Sequence, residues 1–224
     1  MRIDRLAAPE FSELWSLRED VTVLFGADHL LLHTPWGDPL IAGPAPTLRE
    51  ALRRMLLGPV SLGNVVPGFP GYAVPEAEWN DESRHLLAAL DGLQHVVVRH
   101  VAAGAPYLSV VPLTPTARFR PAAVPPGAGA RLRDDVVVRL AGGEPVLESA
   151  GLDHRVELHG PEAGRLLAQL RGQDGGTAPF LPPAVARAAR CYAAAAGLLT
   201  EWAGAAALSV RNRHTLLVSD EDSL

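Results

Sequence analysis

The sequence predicts an α+β fold in which one small domain occurs twice, and two observations lead there. Residues 17–58, LREDVTVLFGADHLLLHTPWGDPLIAGPAPTLREALRRMLLG, and residues 132–172, LRDDVVVRLAGGEPVLESAGLDHRVELHGPEAGRLLAQLRG, both open with Leu-Arg-acid-Asp-Val-x-Val. Each then runs through two more apolar strand-like stretches, meets a proline and closes in an amphipathic helix ended by glycine. The offset of roughly 115 residues is the size of a domain, not of a solenoid repeat. The second observation is Pro121–Ala130 (PAAVPPGAGA), where proline stiffness and small residues make a linker. The expected division is therefore a first domain over 1–120, a linker over 121–130 and a second domain over 131–224.

In the first copy Val21–Gly26, His29–Pro35 and Asp38–Ala42 are short apolar runs separated by Gly, Asp and Pro, which predicts a three-stranded meander. Thr47 can cap the next helix, with Glu50 as the reciprocal member of a capping box. Leu48, Ala51, Leu52, Met55 and Leu56 follow helical spacing until Gly58-Pro59 stops it. Asp81–Gln94 is a second helix with Leu86, Leu87, Leu90 and Leu93 inward. Val96–Val101 and Tyr107–Val111, joined by AAGAP, form a hairpin. Three strands, helices and a two-stranded wing make a winged helix-turn-helix plan.

The second copy repeats it, with strands Val136–Leu140, Pro145–Ser149 and His154–His159 and a helix Pro161–Arg171 whose proline suits the first turn. An alanine-rich helix follows over Pro182–Leu199, then a hairpin of Leu208–Arg211 and Thr215–Val218 turning at Asn212-Arg213.

Composition limits the function. A net charge of −5 argues against a general polyanion binder, which needs clustered cations to release counterions. All 20 basic residues are arginine. One cysteine, Cys191, excludes an internal disulfide and fits a reducing, cytoplasmic setting. No apolar run is long enough for a signal peptide or a membrane span, so neither a membrane partner nor a membrane location is expected.

No catalytic or metal site is expected. His29 and His33 share a strand face without further ligands in register, and His95 and His100 flank a valine run. Cys191 sits in an alanine-rich helix with no histidine nearby. GxSxG, HExxH and CxxC are all absent. Two surfaces stand out instead. His154-Arg155-Val156-Glu157-Leu158 would template an incoming peptide strand if it lay at a sheet edge. On the last helix Arg187, Arg190, Cys191 and Ala194 share one face, where small side chains leave a groove and two arginines could grip carboxylates.

This arrangement resembles the PqqD-like recognition element that captures leader peptides of ribosomally made, modified peptides. WSLREDVTVLF, LLLHTPWGDPL, LREALRRMLLGPVSLGNV, LQHVVVRHV and YLSVVPLTPTARFRP are similar to the region preceding the flavin domain in SagB-family azoline dehydrogenases. DVVVRLAGGEPVLESAGLDHRVELHGPEAGRLLAQL is similar to the segment after it. The resemblance covers most of the chain and rests on apolar pattern and short phrases. It implies a protein, not an enzyme on its own, that binds a precursor leader through His154–Leu158, Arg187, Arg190, Cys191 and Ala194. It would present that peptide to a dehydrogenase or cyclodehydratase in thiazole/oxazole formation. FMN is expected only on such a partner or on a flavin domain outside these 224 residues.

Two other readings compete. A winged-helix transcriptional regulator could touch DNA phosphates with Arg211-Asn212-Arg213-His214, but the net charge and the acidic start of the helix at Asp81-Glu82 oppose it, so nucleic acid is not the expected partner. The third reading is a pure scaffold subunit of the modification complex.

Overall fold

In a computed structural model, residues 11–70, 78–121, 126–127, 129–173 and 181–200 are described, and the architecture is α+β with antiparallel sheets. The strands are β1 (Ser12–Leu17), β2 (Thr22–Phe25), β3 (His29–His33), β4 (Leu40–Ala42), β5 (Val97–Ala103), β6 (Ala105–Pro112), β7 (Arg131–Leu132), β8 (Val137–Ala141), β9 (Glu144–Glu148), β10 (His154–Leu158) and β11 (Leu199–Thr200). The helices are α1 (Pro46–Met55), α2 (Asp81–Asp91), α3 (Ala163–Leu170) and α4 (Pro183–Ala195). A six-stranded sheet runs β1-β5-β6-β10-β9-β8, beside a three-stranded sheet β2-β3-β4 and a pair β11-β7.

The repeated phrase folds the same way twice. Arg18 grips Asp20 through Nε and Nη2, at 2.8 and 2.6 Å, and Arg133 grips Asp135 at 2.9 and 2.8 Å. The amide of Arg18 donates to Val96 and that of Arg133 to Leu198, each at 3.0 Å. Leu17 pairs with Val97 and Leu132 with Leu199. Beyond the clasp, β2 and β3 pair as β8 and β9 do: Thr22 faces His33, and Val137 faces Glu148. The β8–β9 turn is Gly142-Gly143 at φ of 60° and 91°, the two-residue hairpin turn that needs left-handed backbone at both positions.

Alternation along the strands builds two apolar cores. Val23, Leu30 and Leu32 join Leu48, Ala51, Leu52 and Met55 of α1 and Leu86 and Leu90 of α2. Val101, Leu108 and Val110 of the β5–β6 hairpin join Val156, Leu158, Leu166, Ala189 and Tyr192. The division falls within β5: Val97 belongs to the first core and Val101 to the second. The hairpin that follows the first set of helices therefore packs under α4.

Several expectations change. β1 was not foreseen; it pairs with β5 on one side, while Trp15 exchanges two 2.8 Å backbone bonds with Val60 on the other. Thr47 is not a cap: α1 begins at Pro46, its N-cap is Ala45, and no side chain caps it. Proline at the first turn lacks the amide a cap would satisfy, and Glu50 instead holds Arg53 and Arg54 at 2.9 and 2.7 Å. The helix after Asn80 ends at Asp91 rather than Gln94, and the last helix at Ala195. The expected hairpin over 208–218 lies outside the described residues.

Candidate functional site

The strand His154–Leu158 is not an edge. β10 lies between β6 and β9, with Arg155 opposite Val111 and Glu157 opposite Ser109 on one side, and Val156 opposite Leu147 on the other. Bonds at each end of the β6 pairing, Leu113 N to Asp153 O at 2.8 Å and His159 N to Tyr107 O at 2.9 Å, set its parity. The amides of Arg155 and Glu157 therefore serve β6, and that of Val156 turns to β9. The physical reason for the correction is that the first copy's hairpin has been added to this edge.

The other expected site residues are engaged as well. Val156 and Leu158 are in the core. His154 is buried and edges onto the Phe119 ring at 5.6 Å; burial lowers its pKa below the usual value. Arg190 donates to the carbonyls of Gly127 and Ala130 at 2.8 and 3.2 Å, so it ties down the linker. Cys191 is buried and its thiol is pushed up by that burial, with Arg187 and Arg190 opposing. Arg187 is exposed and Ala194 half-buried. α4 packs on β5 and β6 through Val185, Ala188, Ala189 and Tyr192, which lie in the second core, while Arg187 stays at the surface.

The equivalent edge in the first copy is open among the described residues. Leu32 N donates to Pro39 O and Gly43 N to Asp28 O at 3.1 and 2.7 Å, so residues 39, 41 and 43 bond to β3. Leu40 and Ala42 then turn their amides away from the sheet. Leu40 faces Leu31 as Glu157 faces Val146, so Leu40 and Ala42 stand where Glu157 and His159 meet β6. Leu24, Leu31 and Leu40 form a cross-strand row on the outer face, with Leu24 54% and Leu40 63% exposed.

A second feature lies on the face of the six-stranded sheet away from α4. A groove of about 890 Å³ is walled by Arg18, Leu56, Leu57, Pro59 and Arg155, with Val98, His100, Ser109, Val111 and His159 on its floor. Arg155 contacts Glu157 at 2.7 Å, so the two expected polar residues of β10 meet here. Across the floor runs an unbroken polar chain. Ser16 Oγ lies 2.9 Å from His100 Nε2, and His100 Nδ1 lies 2.7 Å from Ser109 Oγ. Ser109 Oγ lies 2.7 Å from His159 Nε2, and His159 Nδ1 lies 2.7 Å from Glu144 Oε2. Gly160 N donates to Glu144 Oε1 at 2.9 Å.

With a neutral His159, one proton arrangement satisfies every member. The Gly160 amide first, then His159, hold the Glu144 carboxyl below its usual pKa, so it is ionised and only accepts. His159 Nδ1 therefore donates to it, and Nε2 accepts the Ser109 hydroxyl proton. Burial pushes His100 down to about 4, with the charges of His159 and Arg99 adding to it. Neutral His100 then donates from Nδ1 to Ser109 and accepts from Ser16 at Nε2. The sequence gives His100 no role beyond flanking a valine run, and no motif marks Ser16, Ser109 or Glu144. The visible signal was slight: His100 and Ser109 face each other across the hairpin, which fixes their meeting once the hairpin register is known.

No group of acids, histidines and cysteines among the described residues could hold a metal ion, and no helix there is long and apolar enough to cross a membrane. No model of a known protein family matches the chain, and no curated protein is significantly similar to it.

Proposed function

We propose that the chain is a tandem winged helix-turn-helix protein that binds an extended leader segment of a ribosomally made precursor peptide. It presents that segment to a partner tailoring enzyme, an FMN-bearing dehydrogenase or a cyclodehydratase, in thiazole/oxazole formation. The observation that supports this reading is internal. The third strand of one copy carries an added strand, β6, and the same strand of the other copy, β4, has an outer side that is unpaired among the described residues. A surface that accepts an extended strand in cis has the backbone geometry to accept one in trans. The leucine row Leu24–Leu31–Leu40 would continue onto apolar side chains of that strand.

Titrating fluorescein-labelled precursor leaders encoded beside the gene, read by anisotropy, tests the reading. Saturable binding is expected, and Ala42→Pro weakens it roughly threefold to tenfold by deleting one outward amide worth about 1 kcal/mol. A folded protein that leaves the anisotropy flat at tens of micromolar for every such leader refutes it.

A further inference from the structure

The polar chain on the groove floor has no part in strand addition at β4, and its geometry points elsewhere. We propose that the groove is an ester-hydrolysing site in which Ser109 is the nucleophile, His159 its general base and Glu144 the group that orients His159. Such a constellation is recognised by geometry and roles rather than by sequence position. Here both links are 2.7 Å, and the carboxylate holds Nδ1 so that Nε2 faces the hydroxyl. Three separate backbone features set this up. The Gly142-Gly143 turn starts β9 at Glu144, the His159 amide bonds to Tyr107 at the end of β10, and Gly160 at φ 70° turns its amide onto Glu144. Ser109 is 3% exposed and lines the groove.

His100 is a positioning residue. Its Nδ1–H donates to the Ser109 oxygen, which leaves the Ser109 proton no acceptor but His159. The same N–H stabilises the alkoxide as that proton departs, and because burial keeps His100 neutral it does so without titrating at neutral pH. Val98, Val111, Leu57 and Pro59 give the groove an apolar side for an acyl chain.

The chemistry balances with water as the only co-reactant. Ser109 Oγ attacks the ester carbonyl carbon while its proton passes to His159 Nε2. The carbon–oxygen bond of the alcohol breaks, and His159 returns that proton to the leaving oxygen. Water then attacks the acyl-serine, His159 takes its proton, and the bond to Oγ breaks with the proton restored. The substrate class is the ester of an apolar acyl group, which the apolar side of the groove would take.

The full chain incubated with a fluorophosphonate gives the test, with p-nitrophenyl butyrate as the ester. A phosphonyl adduct mapped to Ser109 by mass spectrometry, and ester turnover above buffer, are expected. Ser109→Ala loses both, while Glu144→Gln keeps the adduct site and slows turnover by roughly 10²–10⁴-fold. His100→Gln lowers kcat and leaves KM in place, a split that a merely structural role would not give. A folded wild-type chain with no adduct at Ser109 overturns the proposal, and that measurement needs no variant to fold. Unchanged turnover in Ser109→Ala overturns it too. Leader binding is measured separately at β4, so either proposal can fail alone.

Discussion

The two copies of the repeat share a clasp and a meander, and they differ in what lies beside the third strand. At β10 the neighbour is β6, and the helix α4 closes over that hairpin to make one apolar core. At β4 the neighbour is solvent among the described residues, with Leu40 63% exposed. The side chains reflect this. The strand that gained a neighbour presents Arg155 and Glu157 to the groove and buries Val156 and Leu158, whereas β4 half-buries Ile41 alone and leaves Leu40 and Ala42 exposed. A duplicated unit thus supplies both a bound and an unbound form of one edge within a single chain.

Removing the added strand's anchors should have the largest effect. Leu108 is fully buried in the second core, and Leu108→Ala is expected to lower stability by about 2–5 kcal/mol in urea unfolding. Leu40→Ala, at the open edge, is expected to stay within about 0.5 kcal/mol. Comparable small losses at both would show that β6 is not integral to the second copy, and the contrast would collapse.

Acid is the next probe. His100 is neutral when folded, with a pKa near 4 against an ordinary 6.5. The unfolded chain binds the extra proton first, so this contribution is fully present above about pH 6.5 and is lost as pH falls toward 4. Its size is on the order of 3 kcal/mol. His154, lowered mainly by burial, acts in the same direction, and both histidines lie on the six-stranded sheet. Urea midpoints across that range should fall with acidity, and His100→Gln should flatten the fall; an unchanged slope would remove His100 as its source.

The clasps offer a finer comparison. Arg18 is 16% exposed, stacks 4.6 Å over Trp36 and also donates to the Pro112 carbonyl, whereas Arg133 is 38% exposed. Arg18→Ala is expected to cost roughly 1–3 kcal/mol, since it strips a charged group from several partners at once. Arg133→Ala should cost less, because its pair with Asp135 is more solvated. Calorimetric melting of the two variants checks the order, and the reverse order would mean the copies do not use the clasp alike. Ala42→Pro also has a small effect on stability, expected below about 1 kcal/mol because the amide it removes faces outward on an edge. Its effect on leader binding is the sensitive readout.

Much of this architecture follows from local pattern. Alternating residues such as Val23, Leu30 and Leu32 had to face a core, Gly142-Gly143 had to turn, and the phrase Leu-Arg-acid-Asp-Val had to form the same Arg–Asp clasp in both copies because that pair spans only two residues along the chain. Four helices and the hairpin Val97–Pro112 were legible for the same reason, to within a few residues at their ends. What the sequence left open was which strand edges meet. Val156 and Ile41 carry the same apolar signature, yet one is interior and the other borders an open edge, because that choice depends on where the β5–β6 hairpin docks and not on either strand. The groove chain was hidden for the same reason: Ser16 and His100 lie 84 residues apart and Ser109 and His159 lie 50 apart. Periodicity reports which face of an element is apolar, while contacts across such separations exist only after the loops between them have closed and the sheets have found their register.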